Sequence, residues 1–427
     1  LVHDYFQNGR AAESVIELCG LVRSAGAIVC AYIRCGRGSP NQKTFIGPGK
    51  LLEVADAVKQ CSATLVIFES QISPIQERNL TRELNCPVID RVRLVLDIFA
   101  LRARTSEGKL QVELAQLQHL STRLVRGWSH LERQRGGIGL RGPGETQLET
   151  DRRLIRAQIK RLRQQIQEVR DHRRSYRERR QKAGIPVVAL VGYTNAGKST
   201  LMNTLTSAGV VAADKLFATL DTRTRRWQLP NWGPVLLSDT VGFIRNLPHR
   251  LIASFKATLE EARQAELLVH VADGSHPQVF EQISAVYDVL TELGIEEKNT
   301  LLVVNKIDQL ESETQLSGIL DRYPKAVPLS AQSGQGMDKL GMAVSDALSR
   351  SFQDVLVETD ISNGRLMAYL SAHGEVLSTL YNEKTVTIHC RLAERHLGRI
   401  DRVDTTITPL DRQDQLDSFQ PDPPGSQ

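Results

Sequence analysis

Residues 192–199 read GYTNAGKS, which fits Gly-x-x-x-x-Gly-Lys-Ser and follows directly on the apolar run Pro186–Val191. An unbroken apolar run suits a strand buried on both faces, and the octet then falls at the strand's end, where a helix begins near Lys198. Glycines let such a loop turn successive backbone N–H groups inward around a β-phosphate, and the positive end of the helix dipole points at the same place. A lysine at position 198 neutralises β- and γ-phosphate charge, and a serine at 199 offers a hydroxyl to Mg²⁺. Gly192, Tyr193, Thr194, Asn195 and Ala196, with Gly197, Lys198, Ser199 and Thr200, are therefore the expected phosphate-binding residues. A chance glycine-rich turn is the competing reading, and the motifs downstream decide between them.

Asp239, Thr240, Val241 and Gly242 form Asp-x-x-Gly at the end of the run Val235–Asp239. Such an aspartate holds Mg²⁺ through water, and the glycine N–H meets the γ-phosphate. Alone, the motif reads equally as a helix cap with a turn glycine. Asn305, Lys306, Ile307 and Asp308 form Asn-Lys-x-Asp after the run Leu301–Asn305. A carboxylate at 308 accepts two hydrogen bonds from the N1–H and exocyclic amine of guanine. Adenine lacks that donor pair, so the motif selects GTP over ATP. Ser330, Ala331 and Gln332 follow the last apolar run and match a loop whose backbone touches guanine O6.

Between the first two motifs lie Phe217, Ala218, Thr219, Leu220 and Asp221, all expected among the GTP-binding residues. Thr219 is the expected switch threonine over Mg²⁺, with Thr222 and Thr224 as competitors. The expected metal set is Ser199, Thr219 and Asp239, and Lys198, Thr219 and Gly242 are the expected catalytic positions. Ras-type enzymes place a water-orienting glutamine directly after Asp-x-x-Gly. Here that position is Phe243, so intrinsic hydrolysis is expected to be slow. Asn195 leaves two readings open: a ligand that helps hold K⁺ beside the phosphates, or a residue that stabilises the loop.

A length of 427 residues suggests about two to four domains. From residue 1 to 103, short β-branched runs (Ala27–Ile33, Thr64–Phe68, Pro87–Asp90) alternate with helical patterns over Leu51–Gln60 and Ser73–Leu84, indicating a small α/β unit. Gly47–Lys50 resembles a fragment of a phosphate loop, but a turn leading into a helix is the better reading. From 104 to 183, Leu110, Leu114, Leu117 and Leu124 lie on one seam, and Ile155, Ile159, Leu162, Ile166 and Val169 on another. The two read as a helical hairpin turning at the glycine-rich segment Gly136–Gly144, which carries Arg141. From Arg152 to Lys182 there are 13 Lys or Arg against 3 acids, a local charge of +10 in a chain of net +5. A solvated helix face is the usual meaning of such a run, and contact with a phosphate backbone is favoured over it here. Trp128 and Tyr176 could stack on bases or simply pack.

Residues 184–350 alternate strand and helix around the nucleotide motifs, 351–410 read as a small α+β piece around Thr385–Cys390, and 411–427 read as a disordered tail. The expected class is thus α/β: a P-loop, Ras-like G domain preceded by a small α/β domain and a basic helical hairpin, and followed by a small C-terminal α+β region. His270, inside an apolar run, reads as a satisfied core histidine. The six cysteines form no CxxC pair, which disfavours zinc and disulfides. No secretory signal or membrane-spanning run is visible, so a cytoplasmic protein without membrane insertion, acting as a monomer, is expected. The chain starts at Leu1 rather than Met, and its true start is expected upstream.

These motifs, with KLQVELAQLQHLSTRLVRGWSHLERQ (109–134) and GLRGPGETQLETDRR (139–153) before them, closely resemble the HflX family of ribosome-associated GTPases. The resemblance covers roughly residues 40–350, and the second segment is far more specific than the P-loop. It implies binding of GTP and GDP, contact with rRNA on the large ribosomal subunit and dissociation of stalled ribosomes. The ribosome is then the natural candidate for the partner expected to complete the site that Phe243 leaves open. Family members commonly carry proline where this chain has Thr222, so the shape of the first switch is expected to differ. Two alternatives stay open: an RNA-processing or tRNA-modification GTPase, and a GTP-dependent regulatory scaffold.

Overall fold

The computed structural model describes the chain apart from residues 5–10, 37–39, 128–142, 183–184, 207–215, 218, 231–232, 245–260, 293, 296–299, 311, 350–351, 383, 394–396, 398–399, 401–404 and 411–427. Strands β1 (Val2–Asp4), β2 (Ile33–Cys35), β3 (Val66–Phe68) and β4 (Val88–Asp90) form a parallel sheet in the order β2-β1-β3-β4. The expected strand at Ala27–Ile33 is displaced: Val2 pairs with Ile33, so pairing starts at the end of that run. Ile28, inside the run, is 87% exposed and forms no strand, because β-branched character yields a strand only where a partner edge is available.

Four helices cover this sheet: α1 (Ala11–Ser24), α2 (Pro48–Gln60), α3 (Pro74–Leu84) and α4 (Arg91–Arg102). Gly47–Lys50 is the start of α2, with Pro48 in its first turn. Ser73 and Gln76 close a reciprocal cap on α3, satisfying two otherwise orphaned donors. Asp90 caps α4 by accepting from Arg93 N at 2.9 Å.

Helix α5 (Ser106–Gly127) then packs against α6 (Pro143–Lys182). Leu114, Leu162 and Ile166 are buried at their seam, flanked by Leu110, Leu117 and Ile159, as the two spacings require. The 40 residues of α6 make a rod about 60 Å long. Gly144 belongs to the first turn of α6 rather than to the loop, while Trp128 and Arg141 lie outside the described residues. Among the described residues, no helix is long and apolar enough to cross a membrane.

A six-stranded sheet follows, in the order β10-β9-β8-β5-β7-β6. Its strands are β5 (Val187–Gly192), β6 (Arg223–Leu229), β7 (Gly233–Asp239), β8 (Leu267–Asp273), β9 (Thr300–Asn305) and β10 (Val327–Pro328). All neighbours are parallel except β6, which runs antiparallel to β7 at the sheet's edge. Helix α7 (Lys198–Thr206) follows β5. Beyond it, four antiparallel strands, β11 (Phe352–Asp360), β12 (Gly374–Tyr381), β13 (Thr385–Ala393) and β14 (Thr405–Pro409), lie in the order β12-β13-β11-β14 and carry the helix Gly364–His373, with β13 in the interior of the sheet.

One buried cluster joins the first 127 residues to the larger sheet. It combines Leu18, Leu94, Phe99 and Val112 with Tyr193, Phe217, Leu220, Val241 and Phe243. Helix α5 is also fastened to the N-terminal sheet by charge. Arg123 Nη2 donates to Asp90 Oδ2 at 2.6 Å, Nε donates to His119 Nε2 at 2.8 Å, and the same guanidinium pairs with Glu77. Asp90 is fully buried, and desolvation pushes its carboxyl above the usual range. Removing one partner of a buried pair strands the other charge. Arg123→Ala is therefore expected to lower stability by about 3 kcal/mol, read as a lower midpoint in urea unfolding; a midpoint equal to that of the parent chain contradicts this role.

Candidate functional site

Residues 192–199 leave β5 and wrap into the start of α7. Gly192 (φ +147) faces the carbonyl of Val271, and a Cβ there would stand 2.2 Å from that oxygen. Gly197 (φ +92) faces Asn305 Nδ2 at an equally forbidding 2.2 Å. Both positions therefore require glycine for space as well as for backbone conformation. Asn195 also adopts a left-handed φ of +64, with its side chain exposed. Asparagine is one of the few residues that tolerates this region, which is a sufficient reason for its presence.

Lys198 is 6% exposed, and its ammonium donates to the carbonyls of Gly192 at 3.0 Å and Tyr193 at 2.8 Å. Burial pulls its pKa down to about 8, opposed by the charge of Asp239. Asp239 is 1% exposed at the end of β7. Its Oδ2 accepts from Ser199 Oγ at 2.7 Å and from Thr219 Oγ1 at 3.1 Å, and the two hydroxyl oxygens are 2.8 Å apart. Its Oδ1 is buried with no hydrogen-bond partner among the described residues. Burial raises this carboxyl, with Lys198 as the first opposing influence. Two hydroxyl oxygens beside a carboxylate with one uncompensated oxygen, all hard donors, suit a small divalent cation. Of the three threonines weighed for the switch, Thr219 is the one beside Ser199 and Asp239. Thr224 instead lies in β6 opposite Ser238.

The segment after Asp239 is stitched to the phosphate loop. Thr194 N donates to Phe243 O at 2.7 Å, and Phe243 N donates to Gly192 O at 3.1 Å. Thr240 Oγ1 donates to Leu190 O at 2.7 Å, which ties β7 to β5 and turns that side chain away from the loop. A Cβ on Gly242 would come within 2.9 Å of both Lys198 Nζ and Thr194 Cα, so the chain passes too close for any side chain. Val241 is buried.

The opposite side of the site is organised by Asn305. Its Nδ2 donates to Ala196 O at 2.8 Å and its Oδ1 accepts from Ala331 N at 2.9 Å, so one side chain links the phosphate loop to residues 330–332. Lys306 (φ +64) pairs with Asp273 at 2.7 Å. Ile307 and Asp308 sit in a short 3-10 turn, Asp308 with an exposed carboxylate. Ser330 and Ala331 are buried and Gln332 is exposed. Thr204 of α7 donates to Ala331 O at 2.7 Å, a second link between the same loops.

Several residues grouped with the nucleotide from sequence turn elsewhere. Phe217 stacks edge-on against Phe99 of α4, with ring centroids 4.6 Å apart. Leu220 is buried in the same interdomain cluster. The Asp221 carboxylate faces the start of α5, and the Tyr193 hydroxyl donates to Glu17 of α1 at 2.9 Å. Ala218 lies outside the described residues, and Thr200 sits half-buried in the first turn of α7. Glu17, which also pairs with Arg91, was not anticipated; a partner 176 residues from Tyr193 leaves no local pattern. His270 is buried on Tyr287, but its Nδ1 has no partner among the described residues, so it is not the satisfied core histidine expected. Burial first, and Lys198 second, hold its pKa down to about 3.

Three family models match consecutive stretches: a "GTP-binding GTPase N-terminal" region over residues 12–100, a "GTP-binding GTPase Middle Region" over 102–180 and a "50S ribosome-binding GTPase" over 187–306. The chain is 53% identical to the GTPase HflX of Escherichia coli over 367 residues, 86% of each chain. It is 46% identical to the GTPase HflX of Magnetococcus marinus, over 90% of this chain and 89% of that one. The chain belongs to the HflX family of GTPases. Among solved structures it is similar to a GTP-binding protein of Sulfolobus solfataricus in complex with GDP (24% identity, 82% of this chain and 99% of that one, TM-score 0.45). As an HflX GTPase, the chain binds GTP and hydrolyses it to GDP and phosphate.

The lysine supplies a pH dependence. With a pKa near 8, Lys198 carries its charge below that value and loses it above. If the nucleotide phosphate lies against this ammonium, as the motif leads one to expect, it favours the charged form, and GDP affinity should be highest below pH 8 and weaken as pH rises. Titration with a fluorescent GDP analogue should show a loss of up to about tenfold per pH unit above 8. A flat profile from pH 7 to 9.5 contradicts this assignment.

Proposed function

We propose that this HflX GTPase binds rRNA on the large ribosomal subunit while GTP is bound, and uses hydrolysis to dissociate or rescue stalled ribosomes. The observation that carries the reading is the outer face of α6. Arg153, Arg156, Lys160, Arg161 and Arg163 are all exposed on a long rod whose other face packs on α5. Such a stripe suits the phosphate backbone of RNA, where each neutralised phosphate releases counterions. The match of residues 187–306 to a model described as a 50S ribosome-binding GTPase supports the large subunit as the partner. The work is then done in the cytoplasm.

In this reading the Lys198 ammonium binds the β- and γ-phosphates, and the Gly242 N–H meets the γ-phosphate. Asp308 accepts from guanine, and the backbone of Ser330–Gln332 touches O6. Ser199, Thr219 and Asp239 would hold Mg²⁺, which when bound would neutralise phosphate charge. Phe243 has no polar group to orient water, so the attacking water is left to the ribosomal partner. Hydrolysis releases Thr219 and Gly242 together, and the RNA-binding elements let go.

The test is sedimentation of ribosomes with the full chain and a non-hydrolysable GTP analogue. Co-migration with the large subunit, or loss of intact ribosomes, is expected; absence from every ribosomal fraction overturns the reading. Asn195 is accounted for by its backbone conformation, and a K⁺ site beside it has a separate signature. Hydrolysis would run faster in KCl than in NaCl, and equal rates remove that cofactor.

A further inference from the structure

The segment that carries Thr219 is held from outside the larger sheet. Thr219 Oγ1 lies at Ser199 and Asp239, but every described polar contact of its neighbour Asp221 goes to the linker. Arg104 N and Thr105 N donate to Asp221 Oδ2 at 2.9 and 3.0 Å, and Thr105 Oγ1 donates to Asp221 Oδ1 at 2.5 Å. Thr105 in turn caps α5, accepting from Gly108 N at 3.0 Å. The carboxylate thus sits at the N-terminus of α5, held by the N–H of its cap residue Thr105 and of Arg104 just before it, where the helix dipole favours a negative charge. The fit is tight. A Cβ on Gly108 would lie 2.2 Å from Asp221 Oδ1, so only a residue without a side chain lets the carboxylate approach.

Two apolar anchors flank this contact: Phe217 against Phe99, and Leu220 in the shared core. Thr219 projects from between them toward Asp239. At its far end α5 is fixed to the N-terminal sheet through Arg123 and Asp90. The helix therefore runs from the N-terminal sheet to the nucleotide switch, and Asp221 is its polar attachment there.

We propose that Asp221 is a positioning residue for GTP hydrolysis: it clasps the switch to the N-terminus of α5 and so holds Thr219 at the nucleotide. The proposal rests on the reading of Thr219 as the threonine that closes over Mg²⁺ and the γ-phosphate. It predicts a coupling that discriminates nucleotides. Thr219 meets the γ-phosphate only when GTP is bound, so loosening the clasp weakens GTP binding and slows turnover but spares GDP binding.

Three variants of the full chain test this: Asp221→Ala, Gly108→Ala and Thr219→Ala. For each, kcat and the affinities for a non-hydrolysable GTP analogue and for GDP are measured. Gly108→Ala changes nothing in the larger sheet and favours the helix, since alanine is the better helix former, yet its methyl displaces the Asp221 carboxylate. Both clasp variants are expected to lose roughly tenfold in GTP-analogue affinity and in kcat, the scale of a hydrogen bond to a charged group, with GDP affinity within about twofold of the parent. If Asp221→Ala fails to fold, Gly108→Ala carries the test alone. Unchanged or raised kcat, or equal losses for GDP and the GTP analogue, overturns the clasp. If Thr219→Ala also leaves kcat and GTP affinity intact, the reading of Thr219 fails and the proposal fails with it. If Thr219→Ala loses them while the clasp variants do not, Thr219 stands and only the clasp is overturned.

Discussion

The carboxylate of Asp239 is the constraint around which the larger sheet is arranged. It is 1% exposed at the end of a central strand, a position that is costly for a charge unless it is paired and hydrogen-bonded. Ser199 and Thr219 satisfy one of its oxygens, and the buried ammonium of Lys198 is the strongest opposing charge. The other oxygen is left without a partner among the described residues. Lys198 is itself strained by burial, which is why its pKa falls to about 8. Two desolvated groups of opposite charge, neither fully compensated, make a pocket that favours a cation and a phosphate together. The energy withheld from the protein's own interactions is available to the ligand.

That arrangement extends outward through the chain on either side of Thr219. Phe217 and Leu220 are buried with residues from the first 127, and Phe243 joins them at 5% exposure. The position after Asp-x-x-Gly thus has a structural task, since Phe243 seals the contact between the nucleotide loops and the N-terminal helices. An apolar residue there leaves the hydrolytic water without a guide from this side chain. Under the proposed function, packing between domains and slow intrinsic hydrolysis would both follow from this one side chain.

Much of this was readable from sequence where a local pattern carries the information. The strands bearing the nucleotide motifs are continuous apolar runs, because a sheet covered on both faces admits little else, and each motif follows its run directly. The seam of α5 and α6 was readable for a similar reason, since leucine and isoleucine recur at the spacing of a helix face. What escaped was structure defined by a distant partner. Strand β6 has the sequence RTRRWQL, with only Trp227 and Leu229 buried, because it is an edge strand with one solvated face. Strand β1 is three residues long and is recognisable only by its pairing with Ile33 and Phe68. Asp221 and Tyr193 sit inside nucleotide motifs, yet their side chains are used by Thr105 and Glu17, more than a hundred residues away. A motif gives the fold of its backbone; it does not say which way each side chain inside it points.

The central claim is a GTPase whose own residues bind and neutralise the nucleotide but leave the attacking water to a partner on the ribosome. The most direct measurement is multiple-turnover GTP hydrolysis by the full chain, alone and with purified large ribosomal subunits, at the same GTP and magnesium concentrations. A rise of on the order of tenfold or more with subunits is the result this account requires, since a partner that completes a GTPase site acts on turnover by at least that scale. Equal rates with and without subunits would contradict it.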